Sequence, residues 1–132
     1  MSYKKLKNIR VKDFFLQGDD YYVFLYFTYC PHCLKIEKTV TDFVNNHPNL
    51  KFYFIKMDDD RDANYFKQTE NYNNLPQDEF IKSYILDSLN KDNLDEINYY
   101  YVPALYHIKE HKVIGVYVTE EPILYYLKSL DK

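Results

Sequence analysis

The sequence predicts an α/β fold in which a central mixed β-sheet is flanked by helices. Two stretches carry this prediction: a strand–helix–strand run over residues 21–57, and a hairpin followed by a helix over residues 104–130. A strand, a helix and a second strand in this order form a right-handed unit with parallel strands, whereas a hairpin adds antiparallel ones. We therefore expect parallel and antiparallel pairs in one sheet.

Length, apolar content and charge narrow the class of protein. The chain has 132 residues, a hydrophobic content of 46% and a net charge of −3, so we expect residues 1–132 to form a single domain. No apolar run approaches the roughly 18 residues that suggest a membrane span, and no basic field attracts nucleic-acid phosphates. We therefore expect a monomer with neither a membrane nor a nucleic acid as its partner.

The first half of the chain predicts a strand, a helix and a second strand. Residues 21–29 are almost all aromatic or β-branched, which is typical of a central strand buried on both faces. From Cys33 onward the apolar residues recur at helical spacing, and Pro31 suits the first turn of a helix. Turn-forming residues at 45–49 end this helix, and a second apolar strand follows at 50–57.

A helical insertion is predicted ahead of the hairpin, at about residues 61–99. Residues 61–75 are polar, and a helix begins near Pro76 with acidic residues in its first turn. An apolar stripe with a period of 3.6 residues follows, formed by Phe80, Ile81, Tyr84, Ile85 and Leu89. This helix either flanks the functional site and shapes a substrate groove or simply covers the sheet, and the sequence leaves both interpretations open.

The last part of the chain predicts a hairpin and a terminal helix. Residues 104–109 and 112–118 are two short apolar strands joined by a two-residue polar turn. Thr119 is the expected N-cap of a helix that runs to about Leu130, and two acidic residues fill the first turn of that helix.

The two cysteines of the chain lie in the run Tyr29-Cys30-Pro31-His32-Cys33. One such pair is not the disulfide framework of a secreted protein, and it lacks the four ligands of a structural zinc site. The other histidines have no paired spacing that completes a site, so no metal is expected. Because the pair lies between a strand and a helix, a redox pair is the favoured interpretation and two ordinary buried cysteines are the alternative.

The predicted position of Cys30 at a helix N-terminus favours its thiolate form. Unpaired N–H groups and the positive end of the helix dipole stabilise an anion there, and a cationic His32 adds a second favourable charge. Cys30 is therefore the candidate attacking and leaving sulfur. Cys33, one turn inside the helix, is expected to be more buried and to act as the resolving thiol. The alternative for His32 is an exposed residue without a role.

The order of these features resembles the thioredoxin superfamily: a strand, a cysteine-bearing helix, a strand, a proline that opens a hairpin, and a terminal helix. The motif Cys30-Pro31-His32-Cys33 is similar to the active site of the DsbA family of periplasmic oxidants, and Val102-Pro103 resembles the Val-cis-Pro element of the superfamily. The resemblance covers nearly the whole chain. It implies a thioredoxin-like fold with a redox-active disulfide.

The resemblance also implies a function. Cys30 and Cys33 would exchange disulfides with protein substrates and a redox partner, without a cofactor. Tyr29, Val102 and a cis Pro103 would contact the substrate, with the Val102 backbone pairing to an extended segment. A trans proline at the start of a strand is the alternative for Pro103. An accessory protein of the bacteriocin type that serves one dedicated partner, or a binding module, is the alternative function.

The chain departs from the superfamily pattern in one important position. Thioredoxins carry a buried acid six residues before the first cysteine, and Phe24 stands at that position here. Glu37, one turn beyond Cys33, is the candidate substitute, and a solvated helix surface is its alternative role.

The sequence gives two conflicting indications of the cellular compartment. The basic first residues contain no continuous apolar stretch and no small-residue cleavage site, so a cytoplasmic location is the expectation. The resemblance of the cysteine motif instead points to oxidation outside the cytosol.

Overall fold

The computed structural model describes residues 2–59, 75–99 and 101–131. Within these ranges one sheet contains β1 (Asp20–Tyr26), β2 (Phe52–Lys56), β3 (Ala104–Lys109) and β4 (Lys112–Val118), and its strand order is β2-β1-β3-β4. The α-helices are α1 (Pro31–Lys35), α2 (Glu37–Asn46), α3 (Gln77–Ser88) and α4 (Glu120–Leu130), and short 3₁₀ turns lie at Tyr3–Lys5, Val11–Asp13 and Met57–Asp59. β2 runs parallel to β1, whereas β3 is antiparallel to both β1 and β4. The predicted mixed sheet with flanking helices is confirmed.

β1 is the central strand, and its side chains alternate between two cores. Tyr21, Val23 and Leu25 belong to one core, which also contains Tyr84 of α3. Tyr22, Phe24 and Tyr26 belong to the other, which α1, α2 and α4 cover. Because each large apolar side chain contributes about 1.5–3 kcal/mol on burial, the two faces of β1 hold the layers of the fold together.

The elements around the cysteines end differently from the prediction. β1 stops at Tyr26 rather than at residue 29, because Phe27 to Cys30 turn the chain and the Cys30 N–H donates to the Phe27 carbonyl at 3.4 Å. The single predicted helix is divided in two. Ile36 adopts φ −102° and ψ 3° and its N–H bonds to the Leu34 carbonyl, which interrupts the helical hydrogen-bond pattern between α1 and α2.

The hairpin has the predicted bounds, and its turn explains why. Glu110 and His111 both have positive φ, at 53° and 66°, as the favoured two-residue hairpin turns require. Thr119 precedes α4 as predicted, but its side chain makes no capping hydrogen bond and its φ is 76°. The expected side-chain cap is therefore wrong, because this left-handed backbone replaces the extended conformation of an ordinary N-cap.

The N-terminal segment covers the outer edge of β2. Asn8 forms a parallel bridge with Phe54, the Ile9 N–H donates to the Phe54 carbonyl at 2.8 Å, and the Phe54 N–H donates to the Lys7 carbonyl at 2.8 Å. These bonds pair backbone groups that an exposed edge strand would leave open.

The predicted insertion is described only in part. Residues 61–74 and Tyr100 lie outside the described residues. Helix α3 begins at Gln77, directly after Pro76, and its central residue Tyr84 is fully buried. The remaining members of the predicted stripe pack partly buried against the same core: Phe80, Ile81, Ile85 and Leu89.

A buried hydrogen-bond network fastens α3 to the sheet. The Tyr84 hydroxyl lies 2.6 Å from the Tyr106 hydroxyl of β3 and accepts the Tyr101 N–H at 3.1 Å. The Asn98 amide donates to the Tyr84 carbonyl at 3.1 Å, and the Asn98 N–H donates to the Ser88 hydroxyl at 2.8 Å. Since buried polar groups are costly to leave unpaired, this network fixes α3 relative to β3 and to the chain before Val102.

Replacing Tyr84 with Phe is expected to lower the free energy of unfolding by about 1–2 kcal/mol, because the Tyr101 N–H and the Tyr106 hydroxyl lose a buried partner. Urea unfolding followed by circular dichroism measures the change. Tyr125→Phe is the matched control, since Tyr125 is 80% exposed and the loss of its hydroxyl should change stability by less than about 0.5 kcal/mol. Equal unfolding curves for Tyr84→Phe and the parent protein would contradict the stabilising role of the network.

Candidate active site

Cys30 is the N-cap residue of α1. Its backbone is extended, with φ −77° and ψ 116°, and Pro31 occupies the first helical position, where no backbone donor is needed. The Cys30 sulfur accepts a hydrogen bond from the Cys33 N–H at 3.2 Å, and the Leu34 N–H donates to the Cys30 carbonyl at 2.9 Å. The sulfur therefore takes the place of a capping oxygen, where N–H donors stabilise a negative charge.

The two sulfurs differ in depth, as predicted. Cys30 is half-buried, whereas Cys33 is fully buried, and both are free thiols. Burial, reinforced by the interaction with Cys30, raises the pKa of the Cys33 thiol far above its ordinary range. Cys33 is consequently a protonated, shielded thiol beneath a more accessible sulfur.

Tyr3 supports α1 from the inside of the protein. Its ring is 2% exposed and lies 5.1 Å from the Phe24 ring, centroid to centroid. Its hydroxyl donates to the Cys33 carbonyl at 2.6 Å, and its backbone N–H donates to the Glu37 carboxylate at 3.1 Å. Burial raises the pKa of the Tyr3 phenol, so the phenol remains a donor. Sequence reasoning missed this residue, because no local pattern links it to a carbonyl 30 positions away.

The acidic groups near Cys33 are not where the superfamily pattern would place them. Phe24 is fully buried at the strand position that carries an acid in thioredoxins. Glu37, the candidate substitute, is bound by the Tyr3 N–H. Asp58, at the end of β2, accepts the Thr28 N–H at 2.9 Å, and its negative charge adds to the raised pKa of Cys33. An acid whose charge acts on the buried thiol therefore comes from the turn after β2 rather than from β1.

His32 lies on the exposed side of α1 and pairs with a residue of α4. Its side chain is 71% exposed, and its Nδ1 lies 2.5 Å from Oε2 of Glu120. The other oxygen of Glu120 lies 3.5 Å from Nζ of Lys35. The hydrogen bond with His32 holds the pKa of the Glu120 carboxyl below its ordinary value. Sequence reasoning took Glu120 only as a first-turn acid, since the fold alone brings it to His32.

A groove with a volume of about 610 Å³ lies beside the cysteine-bearing helix. Helix α1, the loop that leads into β3, the first turn of α4 and the start of α3 contribute its walls. The Val102–Pro103 peptide bond in that loop is cis, and the Thr119 N–H donates to the Pro103 carbonyl at 3.1 Å. The lining residues are His32, Lys35, Gln77, Tyr101, Val102, Pro103, Thr119, Glu120, Glu121 and Pro122.

Two of the three residues predicted to contact the substrate line the groove, and the third does not. Val102 and Pro103 line the groove together with His32. Tyr29 is not part of the lining; its ring is 86% exposed directly before Cys30.

Helix α3 both covers the core and borders the groove. Tyr84 in its middle is buried against the sheet. Gln77 at its beginning lines the groove, and the Gln77 amide donates to the Tyr101 hydroxyl at 3.0 Å. The middle of α3 therefore covers the sheet, and its first residue borders the groove.

The described residues contain no group of three or more His, Cys, Asp or Glu side chains able to hold a metal ion. His47 and His107 instead lie near carboxylates, 3.2 Å from Asp131 and 2.6 Å from Asp20. Among the described helices, none has the length and apolar character needed to cross a membrane.

Thioredoxins are among the solved structures with a similar backbone. Mitochondrial thioredoxin 3 from Saccharomyces cerevisiae, in its oxidised form, matches with a TM-score of 0.58 at 14% identity, over 100% of both chains. Thioredoxin from Trypanosoma brucei brucei matches with a TM-score of 0.56 at 14% identity, over 98% of this chain and 91% of its own. Fasciola hepatica thioredoxin has a TM-score of 0.54 at 13% identity, over 96% of this chain and 100% of its own.

The chain therefore has a thioredoxin-like fold, as its sequence predicted. No protein-family model and no curated protein matches it in sequence. The fold thus assigns the chain to a structural class, and its chemistry depends on the two cysteines and their surroundings.

In the reduced protein, Cys30 is expected to react with iodoacetamide at least about tenfold faster than Cys33, because thiolate content and access govern the reaction. Cys33 is fully buried and its pKa is raised, so it should stay protonated and unreactive at neutral and mildly alkaline pH. Brief alkylation at pH 7 followed by peptide mass spectrometry locates the label. Protein unfolded in urea is the control and should label both cysteines. Equal labelling of the folded protein would contradict the assigned difference between the sulfurs.

Proposed function

We propose that the protein is a thiol–disulfide oxidoreductase that exchanges disulfides with protein substrates through Cys30 and Cys33. The main support for this proposal is the difference in burial between the two sulfurs. Cys30 is half-buried at the start of α1, and Cys33 is fully buried one turn further. Disulfide exchange needs an accessible sulfur that forms the mixed disulfide and a protected one that resolves it. The thioredoxin-like fold adds support for this class of reaction.

The reaction in the reducing direction takes two steps. The Cys30 thiolate attacks one sulfur of a substrate disulfide, a bond forms between Cys30 and the substrate, and the other substrate sulfur leaves as a thiolate. Cys33 then gives its proton to the substrate thiolate released in the first step or to water and attacks the Cys30 sulfur, and the second substrate sulfur leaves as a thiolate. The substrate gains two electrons, and the protein ends with a Cys30–Cys33 disulfide. The reverse sequence oxidises a substrate dithiol, and a redox partner restores the starting state.

The contacts around the sulfurs suit this order of events. The Cys33 N–H, 3.2 Å from the Cys30 sulfur, stabilises Cys30 both as attacking and as leaving thiolate, since hydrogen bonds to charged acceptors are the stronger ones. The raised pKa of Cys33 keeps the second sulfur protonated while Cys30 reacts with the substrate. The two sulfurs therefore act in sequence rather than in competition.

The groove beside α1 is the proposed site for the substrate segment. An extended segment would pair with the backbone of Val102, next to Pro103, and place its own sulfur towards Cys30. Tyr101 and Gln77 form one wall and are joined by a 3.0 Å hydrogen bond. The exposed ring of Tyr29 offers an apolar contact on the other side of Cys30.

A second candidate is an accessory protein that serves one dedicated partner. The observation that favours it is the wall formed by Gln77 and Tyr101, because Gln77 belongs to the segment predicted as a helical insertion ahead of the hairpin. A wall of this kind restricts which segments enter the groove. The two candidates differ in the number of proteins that form mixed disulfides with Cys30.

Cys33→Ser is expected to accumulate mixed disulfides through Cys30, because the resolving sulfur is lost, whereas Cys30→Ser should form none and should abolish insulin reduction. Non-reducing gels and mass spectrometry of the trapped species measure the first effect, and insulin turbidity with dithiothreitol measures the second. Full turnover by Cys30→Ser would overturn the oxidoreductase assignment. Many trapped proteins would favour the general enzyme, and a single dominant one would favour the dedicated accessory protein.

Equilibration of the Cys30–Cys33 pair with glutathione gives its reduction potential. A value near the roughly −270 mV of thioredoxin would identify a reductant, and one near the roughly −120 mV of DsbA would identify an oxidant. A pair that forms no reversible disulfide would leave only a binding role on this fold.

A further inference from the structure

Glu120 joins the redox centre to the last helix. Its two carboxylate oxygens face two basic side chains of α1, with Nδ1 of His32 at 2.5 Å and Nζ of Lys35 at 3.5 Å. The Glu120 side chain is only 19% exposed, whereas those of His32 and Lys35 are 71% and 74% exposed. Partly buried charges are screened less than exposed ones, so the carboxylate is the better-shielded member of this trio.

The backbone that carries Glu120 is well anchored. The preceding residue, Thr119, donates its N–H to the Pro103 carbonyl at 3.1 Å. Ile123, one turn further along α4, is fully buried in the core beneath α1 and α2. Glu120 therefore offers a carboxylate at a fixed place, and an exposed imidazole that bonds to it acquires a fixed position as well.

We propose that Glu120 is a positioning residue that sets the balance between dithiol and disulfide by holding His32 in place beside Cys30 and Cys33. This inference rests on the proposed function. The hydrogen bond to Glu120 fixes the imidazole at one place within the cysteine motif, from which the positive charge of its imidazolium form acts on the sulfurs. That charge stabilises the Cys30 thiolate, which exists only in the reduced protein, and the disulfide becomes easier to reduce.

The direction in which the dithiol–disulfide equilibrium changes when Glu120 is removed distinguishes two roles. One is the positioning of His32, and the other is a direct effect of the Glu120 charge on the sulfurs. If Glu120 acted on the sulfurs directly as a negative charge, its removal would stabilise the Cys30 thiolate and make the disulfide easier to reduce. If Glu120 acts through His32, its removal releases the imidazole from its place beside the sulfurs, and the Cys30 thiolate loses a favourable charge. The disulfide then becomes harder to reduce. Lys35 retains its charge in either case, so it does not decide the sign.

Glu120→Gln removes the charge while keeping the shape and an oxygen acceptor. In glutathione buffers at pH 7, we expect its disulfide to be about two- to fivefold harder to reduce than that of the parent, the range of a single exposed ion pair. This change corresponds to a potential about 10–20 mV lower. The matched control is Asp42→Asn, which removes the carboxylate of another exposed ion pair, with Lys38 at 2.7 Å on α2. The control should leave the equilibrium unchanged.

A double-mutant cycle with His32→Gln tests whether Glu120 acts through His32. In the His32→Gln background, Glu120→Gln should have no further effect on the equilibrium with glutathione. An effect of equal size in both backgrounds, or a disulfide that becomes easier to reduce, would overturn the proposal. A purely structural role would change the urea unfolding curve of Glu120→Gln and leave its equilibrium with glutathione as in the parent, which would also overturn it.

The failure of this inference can be told apart from the failure of the proposed function. A parent protein that forms no reversible Cys30–Cys33 disulfide would overturn both. A reversible disulfide whose equilibrium Glu120→Gln does not alter would overturn only the role of Glu120.

Discussion

Burial of β1 on both faces is the constraint on which the site depends. Six consecutive residues from Tyr21 to Tyr26 are buried, so the sheet needs a layer of helices on each side. The chain that leaves β1 has to turn sharply and begin covering one face. That turn brings Cys30 to the start of α1 near the end of the central strand and buries Cys33 against the aromatic-rich face of the sheet. The depth of Cys33, and hence its raised pKa, follows from this geometry.

The sequence predicted those features that short-range chemistry determines. The strand–helix–strand run, the hairpin at 104–109 and 112–118, and the capping position of Cys30 all depend on neighbours within a few residues. The break at Ile36 was missed, because its apolar periodicity continues through the interruption. Tyr3 and Glu120 were missed for another reason. Their contacts with Cys33 and His32 span 30 and 88 residues, so only the folded chain brings them together.

In the proposed chemistry, the half-buried Cys30 and the fully buried Cys33 of one helix turn have different tasks. The outer sulfur accepts the Cys33 N–H, whereas the inner one is buried in the core, and the Tyr3 hydroxyl bonds to the carbonyl of the same residue. Around this pair the charged groups form separate sets, with His32, Lys35 and Glu120 outside and Asp58 at the end of β2. A substitution in one set therefore acts on one sulfur more than on the other.

The hydrogen bond from the Tyr101 N–H to the Tyr84 hydroxyl bears on how the groove can change while the redox centre stays the same. The reacting atoms belong to α1, whereas one groove wall belongs to α3 and the residues it anchors. In the proposed oxidoreductase, the chemistry thus belongs to Cys30 and Cys33, and recognition belongs in part to the groove wall that α3 contributes. Exchanging the exposed start of α3 is therefore expected to change which substrate segments the groove accepts and to leave the chemistry of the two sulfurs unchanged.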